Sequence, residues 1–148
     1  MRYLFWAVLI VPFMFLAVSD SNSESGPLEK DVLFPPCPDT PNCVSSLAQD
    51  HAKRVDPFPL RGNTSESLEL LTAIIRSIPR ATVVISLPDR IQAEFRSLLG
   101  FVDDILFKVS SDGKMIHVRS AARTGHWDLG VNRRRVERIR RQYLESGN

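Results

Sequence analysis

The residues of this chain best suited to chemistry lie in one stretch, RSAARTGHWDLGVNRRR, at positions 119–135. Five arginines, a histidine, an aspartate, an asparagine and two glycines share these seventeen positions. Guanidinium groups bind carboxylates and phosphates, and the free amides of a helix N-terminus favour an anion even without side chains. The stretch therefore predicts an anion site, filled either by a ligand or by a carboxylate of the protein itself.

Acidic side chains outside this stretch are the candidate internal partners of the arginines. Asp103 and Asp104 are adjacent in the segment GFVDD, and Glu94 belongs to an earlier alternating segment. Successive side chains on a strand face opposite sides, so we expect the two aspartates to diverge rather than to bind one metal ion. The predicted cluster, structural or anion-binding, comprises Arg119, Ser120, Arg123, Asp128, Asn132, Arg133, Asp103 and Asp104.

An acid/base enzyme of a hydrolase-like kind is the alternative function for the same residues. Asp103 or Asp104 would act with His126 as an acid/base pair, and Arg119 or Arg123 would stabilise developing charge. A hydrolase also needs a nucleophile and an oxyanion site, and for the nucleophile Ser120 and Thr124 are candidates only by proximity. We therefore assign no catalytic residue, expect no cofactor and no metal site, and leave enzymatic activity open.

Four segments with alternating apolar residues predict the strands that would carry the acidic side chains. Short turns separate them, which favours an antiparallel meander. The four segments are 82–87, 91–97, 103–109 and 115–120. In segment 82–87 we expect Val83, Ile85 and Leu87 to share one face.

Two helices are predicted to accompany these strands. The first is marked by a capping pair, Asn63 with Glu66 three residues later, and ends at Pro79. The second begins beside the arginines with Asp128 as its expected N-cap, because a carboxylate there can accept unpaired amides of the first turn. Its apolar stripe comprises Val136, Ile139 and Tyr143. The fold class is therefore α+β, an antiparallel β-meander of about four strands with two helices packed on one face.

A proline-rich stretch that holds both cysteines precedes the first helix. Residues 35–62 contain six prolines, which predicts an ordered Pro/Cys-rich loop. In an oxidising compartment, the close pair Cys37 and Cys43 is most simply a disulfide. A reduced structural pair and a metal site with His51 are the alternatives, but a closed zinc site would lack one ligand. We expect the disulfide.

The N-terminus carries an apolar run over residues 3–18 after a single arginine, followed by a polar tract. This pattern predicts a signal peptide over residues 1–19, and an uncleaved membrane anchor is the alternative. We interpret residues 20–34 as a linker and residues 35–146 as one globular domain. The domain is expected outside the cytoplasm, either periplasmic, secreted, or anchored to a membrane through its leader.

The charge distribution bears on possible partners. Eight arginines between positions 119 and 141 outweigh Asp128 and Glu137, whereas the whole chain carries a net charge of only +2. Such a basic segment can bind a small anion, or it can pair internally, which is the commoner arrangement. We do not expect nucleic acid, because the domain is exported and only His126 and Trp127 supply aromatic character beside the arginines.

Four segments resemble the family known as domain of unknown function 1499: CPDTPNCVSS (37–46), AEFRS (93–97), GFVDD (100–104) and RSAARTGHWDLGVNRRRVERIR (119–140). The resemblance covers about residues 35–145 and implies an uncharacterised protein with no assigned catalytic residue. The family often has serine at the position of Ala122 and another pair at His126 and Trp127, which argues against a catalytic His126. Pattern positions that this chain retains are Arg119, Ser120, Arg123, Gly125, Asp128, Gly130, Asn132 and Arg133.

Overall fold

The structure, a computed structural model, describes residues 34–146, which form six strands and two helices. The predicted signal peptide or anchor lies outside these residues, as does all but the last residue of the predicted linker. None of the helices in the described part is long and apolar enough to cross a membrane. The elements are β1 (Cys43–Ser45), β2 (Phe58–Pro59), α1 (Thr64–Ser77), β3 (Ala81–Leu87), β4 (Arg90–Arg96), β5 (Val102–Val109), β6 (Met115–Ala122) and α2 (Val131–Glu145).

All strands join one antiparallel sheet in the order β1-β6-β5-β4-β3, and β2 also pairs with β6. Strands β3 to β6 follow one another as a meander, which confirms the predicted α+β class. The two short strands β1 and β2 were not predicted, and both lie within the Pro/Cys-rich loop. They add to the free edge of β6, where a proline that lacks an amide donor is tolerated.

One face of the sheet carries the hydrophobic core and both helices. Alternation along β4 buries Ile91, Ala93 and Phe95, and the neighbouring strands bury their matching residues. The predicted stripe of α2 is confirmed, since its apolar side chains are fully buried in the same core. The core therefore includes Leu71, Ile75, Ile105, Phe107, Ile116, Val118, Val136, Ile139 and Tyr143.

The prediction that Val83, Ile85 and Leu87 share one face is wrong for the second half of β3. Val83 pairs with the buried Ala93, but the register shifts between Val83 and Ile85, so that Ile85 lies opposite Gln92. Ile85 and Leu87 consequently lie on the outer face and are exposed. A β-bulge places one extra residue in an edge strand, and the simple period of two then fails.

The capping pair predicted at the start of α1 is confirmed. The Asn63 side chain accepts a hydrogen bond from the Glu66 amide at 2.9 Å, and the Glu66 carboxylate accepts the amide of Asn63 at 3.3 Å. Two otherwise unpaired donors are satisfied in this way, which sets the first residue of the helix.

The predicted disulfide between Cys37 and Cys43 is also confirmed, with Cα atoms 5.6 Å apart. It ties the loop around residues 34–37 to β1 at the edge of the sheet. Phe34 packs edge-on against His117 on the outer face of β6. The N-terminal end of the domain is therefore fixed across the outer face of the sheet.

Candidate functional site

The predicted cluster residues other than Arg119 and Arg133 lie where the start of β5, the end of β6 and the first turns of α2 meet. The register sets Asp103 opposite Ala122 and Asp104 opposite Ala121, and Glu94 on β4 lies opposite Asp104. Because side chains alternate along a strand, Asp104 and Glu94 extend from the outer face of the sheet. Asp103 extends from the face that carries α2.

Arg123, the residue that follows β6, binds both outer carboxylates. Its Nε and Nη2 each donate to an oxygen of Asp104 at 2.7 Å, and Nη2 also donates to Glu94. Arg96 contacts the second oxygen of Glu94 at 3.1 Å. The hydrogen bonds to Asp104, and then those to Glu94, raise the pKa of Arg123 above its ordinary value. Two carboxylates thus neutralise two arginines on this face without a ligand.

Arg135 takes up the other aspartate on the helix side of the sheet. Its Nη2 donates to Asp103 Oδ2 at 2.6 Å, and both side chains are largely buried. Its guanidinium carbon lies 4.6 Å from the centre of the Phe95 ring. The two adjacent aspartates therefore diverge as expected, and each contacts a different arginine.

Asp128 organises the start of α2, although it is not the N-cap residue. The N-cap is Gly130, and both Gly130 and Leu129 adopt left-handed backbone angles, with φ of 73° and 55°. This turn lets the Asp128 carboxylate accept the amides of Gly130 at 2.9 Å and Asn132 at 2.8 Å. The N-cap prediction is wrong by two residues, because the left-handed pair brings the carboxylate back over the first turn.

The same contacts decide the charge state of Asp128. Burial raises the pKa of this carboxyl, but the hydrogen bonds from Asn132 and Gly130 outweigh that effect and hold the pKa below its ordinary value. A carboxylate of the chain itself therefore occupies amides at the helix N-terminus that would attract an external anion.

A polar network centred on the fully buried Asn132 joins the helix to the sheet. Its Oδ1 accepts from Ser120 Oγ at 2.5 Å and from Arg135 Nη1 at 2.8 Å. Its Nδ2 donates to Asp128 Oδ2 at 2.9 Å and to the carbonyl of Asn42 at 3.3 Å. Ser120 and Asn132 are both completely buried, so four hydrogen bonds satisfy an amide that water does not reach.

The remaining two predicted arginines contact backbone rather than carboxylates. Arg133 donates to the carbonyls of Ala52 at 2.7 Å and Arg54 at 2.8 Å, which ties α2 to the Pro/Cys-rich loop. The Nη2 of Arg119 lies 3.5 Å from the carbonyl oxygen of Pro36. The buried Nε of Arg119 has no hydrogen-bond partner in residues 34–146. Burial lowers the pKa of Arg119, and the charge of Asp104 partly opposes that effect.

His126, the predicted acid/base partner, lies exposed in the loop between β6 and α2. Within the described part of the chain it makes no hydrogen bond to Asp103 or Asp104. These two carboxylates leave opposite faces of the sheet and are occupied by arginines, so they do not converge with His126. The described residues also contain no group of three His, Cys, Asp or Glu side chains that could hold a metal ion.

Two residues of the site were missed by sequence reasoning. Arg135 lies one helical turn after Asn132, and this spacing is a signal that could have placed it in the cluster. Asn42 donates from Nδ2 to the carbonyl of Gly125 and accepts the amide of Ala122 at 3.0 Å. Its position beside a cysteine gives no comparable signal, since the contact depends on the pairing of β1 with β6.

Comparison with known proteins finds one family. A family model described as "Protein of unknown function (DUF1499)" matches residues 34–143, which is nearly the whole described domain and includes every cluster residue. No curated protein matches the chain.

Proposed function

The chain belongs to the DUF1499 family of proteins of unknown function, and we propose that it is an exported, non-catalytic domain whose arginine cluster is structural. One observation carries the proposal: the acidic partners of the cluster are supplied by the protein. Arg123 binds Asp104 and Glu94, Arg135 binds Asp103, and Asp128 covers the helix N-terminus.

In this role the cluster joins the end of the sheet to α2. Removing one partner of a buried pair leaves an unpaired charge and is strongly destabilising, whereas exposed pairs contribute little. The largely buried pair of Arg135 and Asp103 is therefore expected to matter more for folding than the half-exposed Arg123. The acid/base alternative gains no support from these contacts, because its carboxylates are held by arginines on opposite faces.

Export is supported by the leader pattern and by the disulfide, since such bonds persist in oxidising compartments. The test is to trap free thiols in cells that express the full chain, or the chain without residues 1–19. We expect Cys37 and Cys43 to be oxidised only when the leader is present. Equal oxidation of both forms, with the full chain recovered in the cytosol, would contradict export.

The structural role is tested by thermal-shift screening against phosphates, polyanions and dicarboxylates. We expect no ligand to raise the melting temperature, and we expect Arg135→Ala to lower it much more than Arg123→Ala. A ligand that stabilises the wild type, with a shift that Arg123→Ala abolishes in a folded protein, would refute the structural assignment.

Small-anion binding is the second candidate function, and Arg119 is the observation that favours it. Its buried Nε lacks a partner in residues 34–146 and lies beside the loop that crosses the outer face. An anion there would complete its hydrogen bonds. A thermal shift with inorganic phosphate that is lost in Arg119→Gln and kept in Arg133→Gln would support this candidate.

A further inference from the structure

The end of the sheet beside the cluster exposes an unusual amount of apolar surface. Among residues 34–146, the five most exposed large apolar side chains are Leu98 at 86%, Leu99 at 84%, Trp127 at 67%, Leu129 at 62% and Phe101 at 56%. We call these five residues the apolar rim. Scattered exposed hydrophobic residues are ordinary, but a cluster of the most exposed ones marks an interaction surface.

The two loops that carry the apolar rim lie at the same end of the domain. One loop, 97–101, connects β4 to β5, and the other, 123–130, connects β6 to α2. The amide of Arg123 donates to the carbonyl of Val102 at 3.0 Å, so the loops meet where β5 starts and β6 ends. The Arg135 contact with Phe95 places the second turn of α2 at this end as well.

Backbone strain coincides with one rim residue. Leu129 has a φ of 55°, a left-handed conformation that a branched, non-glycine residue rarely adopts. The Asp128 turn and the hydrogen bond from Arg134 Nη1 to the Leu129 carbonyl, at 2.8 Å, hold it there. The surrounding contacts therefore maintain a strained turn whose side chain extends into solvent rather than into the core.

Arginines without acidic partners flank the apolar rim. Arg134 and Arg138 line a shallow hollow next to Val131 at the start of α2, together with Arg135, which is paired with Asp103. Arg80 lies on the other side, where its Nε donates to the carbonyl of Arg96 at 3.2 Å. Arg80, Arg134 and Arg138 are exposed, and none of them forms an ion pair in the described part of the chain. The surface around the rim is therefore cationic.

We propose that this end of the domain docks on an anionic lipid bilayer, with the apolar rim inserted and Arg80, Arg134 and Arg138 on the headgroup phosphates. A tryptophan beside aliphatic tips and arginines is suited to the membrane interface, where an apolar layer borders charged headgroups. A protein partner is the alternative occupant, and it is one outcome of the test below.

The inference rests on the proposed function, because export brings the domain to the outer surface of the membrane that it crosses. The leader supports it further if it remains as an anchor, since the predicted linker over residues 20–34 spans up to about 50 Å when extended. That length lets either end of the domain reach the bilayer surface.

The test uses the full chain reconstituted in vesicles of phosphatidylcholine with or without phosphatidylglycerol. The chain has two tryptophans, so Trp6→Phe leaves Trp127 as the sole reporter. With brominated acyl chains we expect quenching of Trp127 in anionic vesicles, and added salt should weaken it. Replacing Arg80 and Arg138 by glutamine, which leaves the hydrogen bond from Arg134 to Leu129 intact, should reduce the docking equilibrium by roughly 25-fold, at about fivefold per arginine.

A second variant separates insertion from charge. Leu98→Ser, Leu99→Ser and Phe101→Ser together should abolish quenching, while Met115→Ser should leave it unchanged. Met115 is the matched control, because it is 42% exposed and begins β6 at the opposite end of the sheet. Each variant is compared with the wild type by cooperative thermal unfolding.

Two results would overturn the proposal. One is emission from Trp127 that brominated chains do not quench in anionic vesicles, which is the result expected of a surface that binds a protein instead of lipid. The other is unchanged quenching after Arg80 and Arg138 are both replaced. Vesicle docking is measured apart from thiol trapping in cells, so failure of export and failure of docking remain distinguishable.

Discussion

The buried amide of Asn132 offers the sharpest prediction about this fold. Its Oδ1 accepts from Ser120 Oγ, and both side chains are completely buried, so neither can turn to water. In Asn132→Ala the Ser120 hydroxyl loses its acceptor, while Arg135 retains Asp103 and the Asn42 carbonyl retains the Ala122 amide. The variant therefore leaves one principal orphaned group and one small cavity.

The orphaned hydroxyl and the cavity together set the expected loss in the free energy of unfolding. An unsatisfied buried polar group costs about 1–3 kcal/mol, and the cavity adds to it, so we expect Asn132→Ala to lower the free energy of unfolding by about 2–4 kcal/mol. Ser120→Ala removes only the donor, because Arg135 still satisfies the Asn132 oxygen, and should cost about 1 kcal/mol. Once Ser120 is alanine, Asn132→Ala no longer orphans a hydroxyl.

A double-mutant cycle measured by urea unfolding with the disulfide intact checks this reasoning. The double variant should be more stable than the sum of the single effects predicts, by about 1–2 kcal/mol of coupling. Additivity to within about 0.5 kcal/mol would show that Ser120 and Asn132 act independently and would refute the shared-network argument. Unchanged slopes of the unfolding curves in urea are the control for a common unfolded state.

Three further predictions concern the loop, the outer face and the helix start. Replacing Cys37 and Cys43 by serine should lower the free energy of unfolding by about 2.4 kcal/mol, the chain-entropy value for a seven-residue loop, and intact mass should shift on reduction only in the wild type. Burial is the main cause that lowers the pKa of His117. The neutral imidazole therefore contributes its full share to the free energy of unfolding above about pH 6.5, and this share is lost as the pH falls. In His117→Gln the free energy of unfolding should consequently change less between about pH 7 and pH 5. Asp128 has a lowered pKa, so its contribution is full above about pH 4 and falls as the carboxyl protonates; Asp128→Ala should remove that acid dependence from thermal melts.

The main fold elements were accessible to sequence reasoning because they depend on local patterns. The meander follows from short turns and alternation, and the capping pair at Asn63 and Glu66 involves neighbouring residues. The divergence of Asp103 and Asp104 also follows from the period of two, so their separate arginine partners required no long-range information.

The predictions that were wrong have a common physical origin: the backbone departs from regular geometry at places that the residue types do not specify. A bulge in β3 moved Ile85 to the outer face, and the left-handed pair at Leu129 and Gly130 separated the N-cap from the capping carboxylate. Asn42 was missed because its contacts join segments that are more than eighty residues apart. Tertiary packing decides such features, and one sequence does not display them.

The arginines at this end of the domain divide into those with partners in the protein and those beside the apolar rim. Carboxylates of the protein neutralise Arg123 and Arg135, and backbone carbonyls bind Arg133. Arg123 therefore connects the end of β6 to β5 and β4, Arg135 connects α2 to β5, and Arg133 connects α2 to the Pro/Cys-rich loop. The arginines that remain without acidic partners in residues 34–146 include Arg134 and Arg138, and they lie beside the apolar rim rather than inside the cluster. Asp128 and Arg134 hold the strained turn that carries Leu129 beside Trp127. Variants that break the Asp128 contacts should therefore weaken bilayer docking only as far as they disorder that turn, whereas variants of the apolar rim, Arg80 and Arg138 should weaken docking while the fold stays intact.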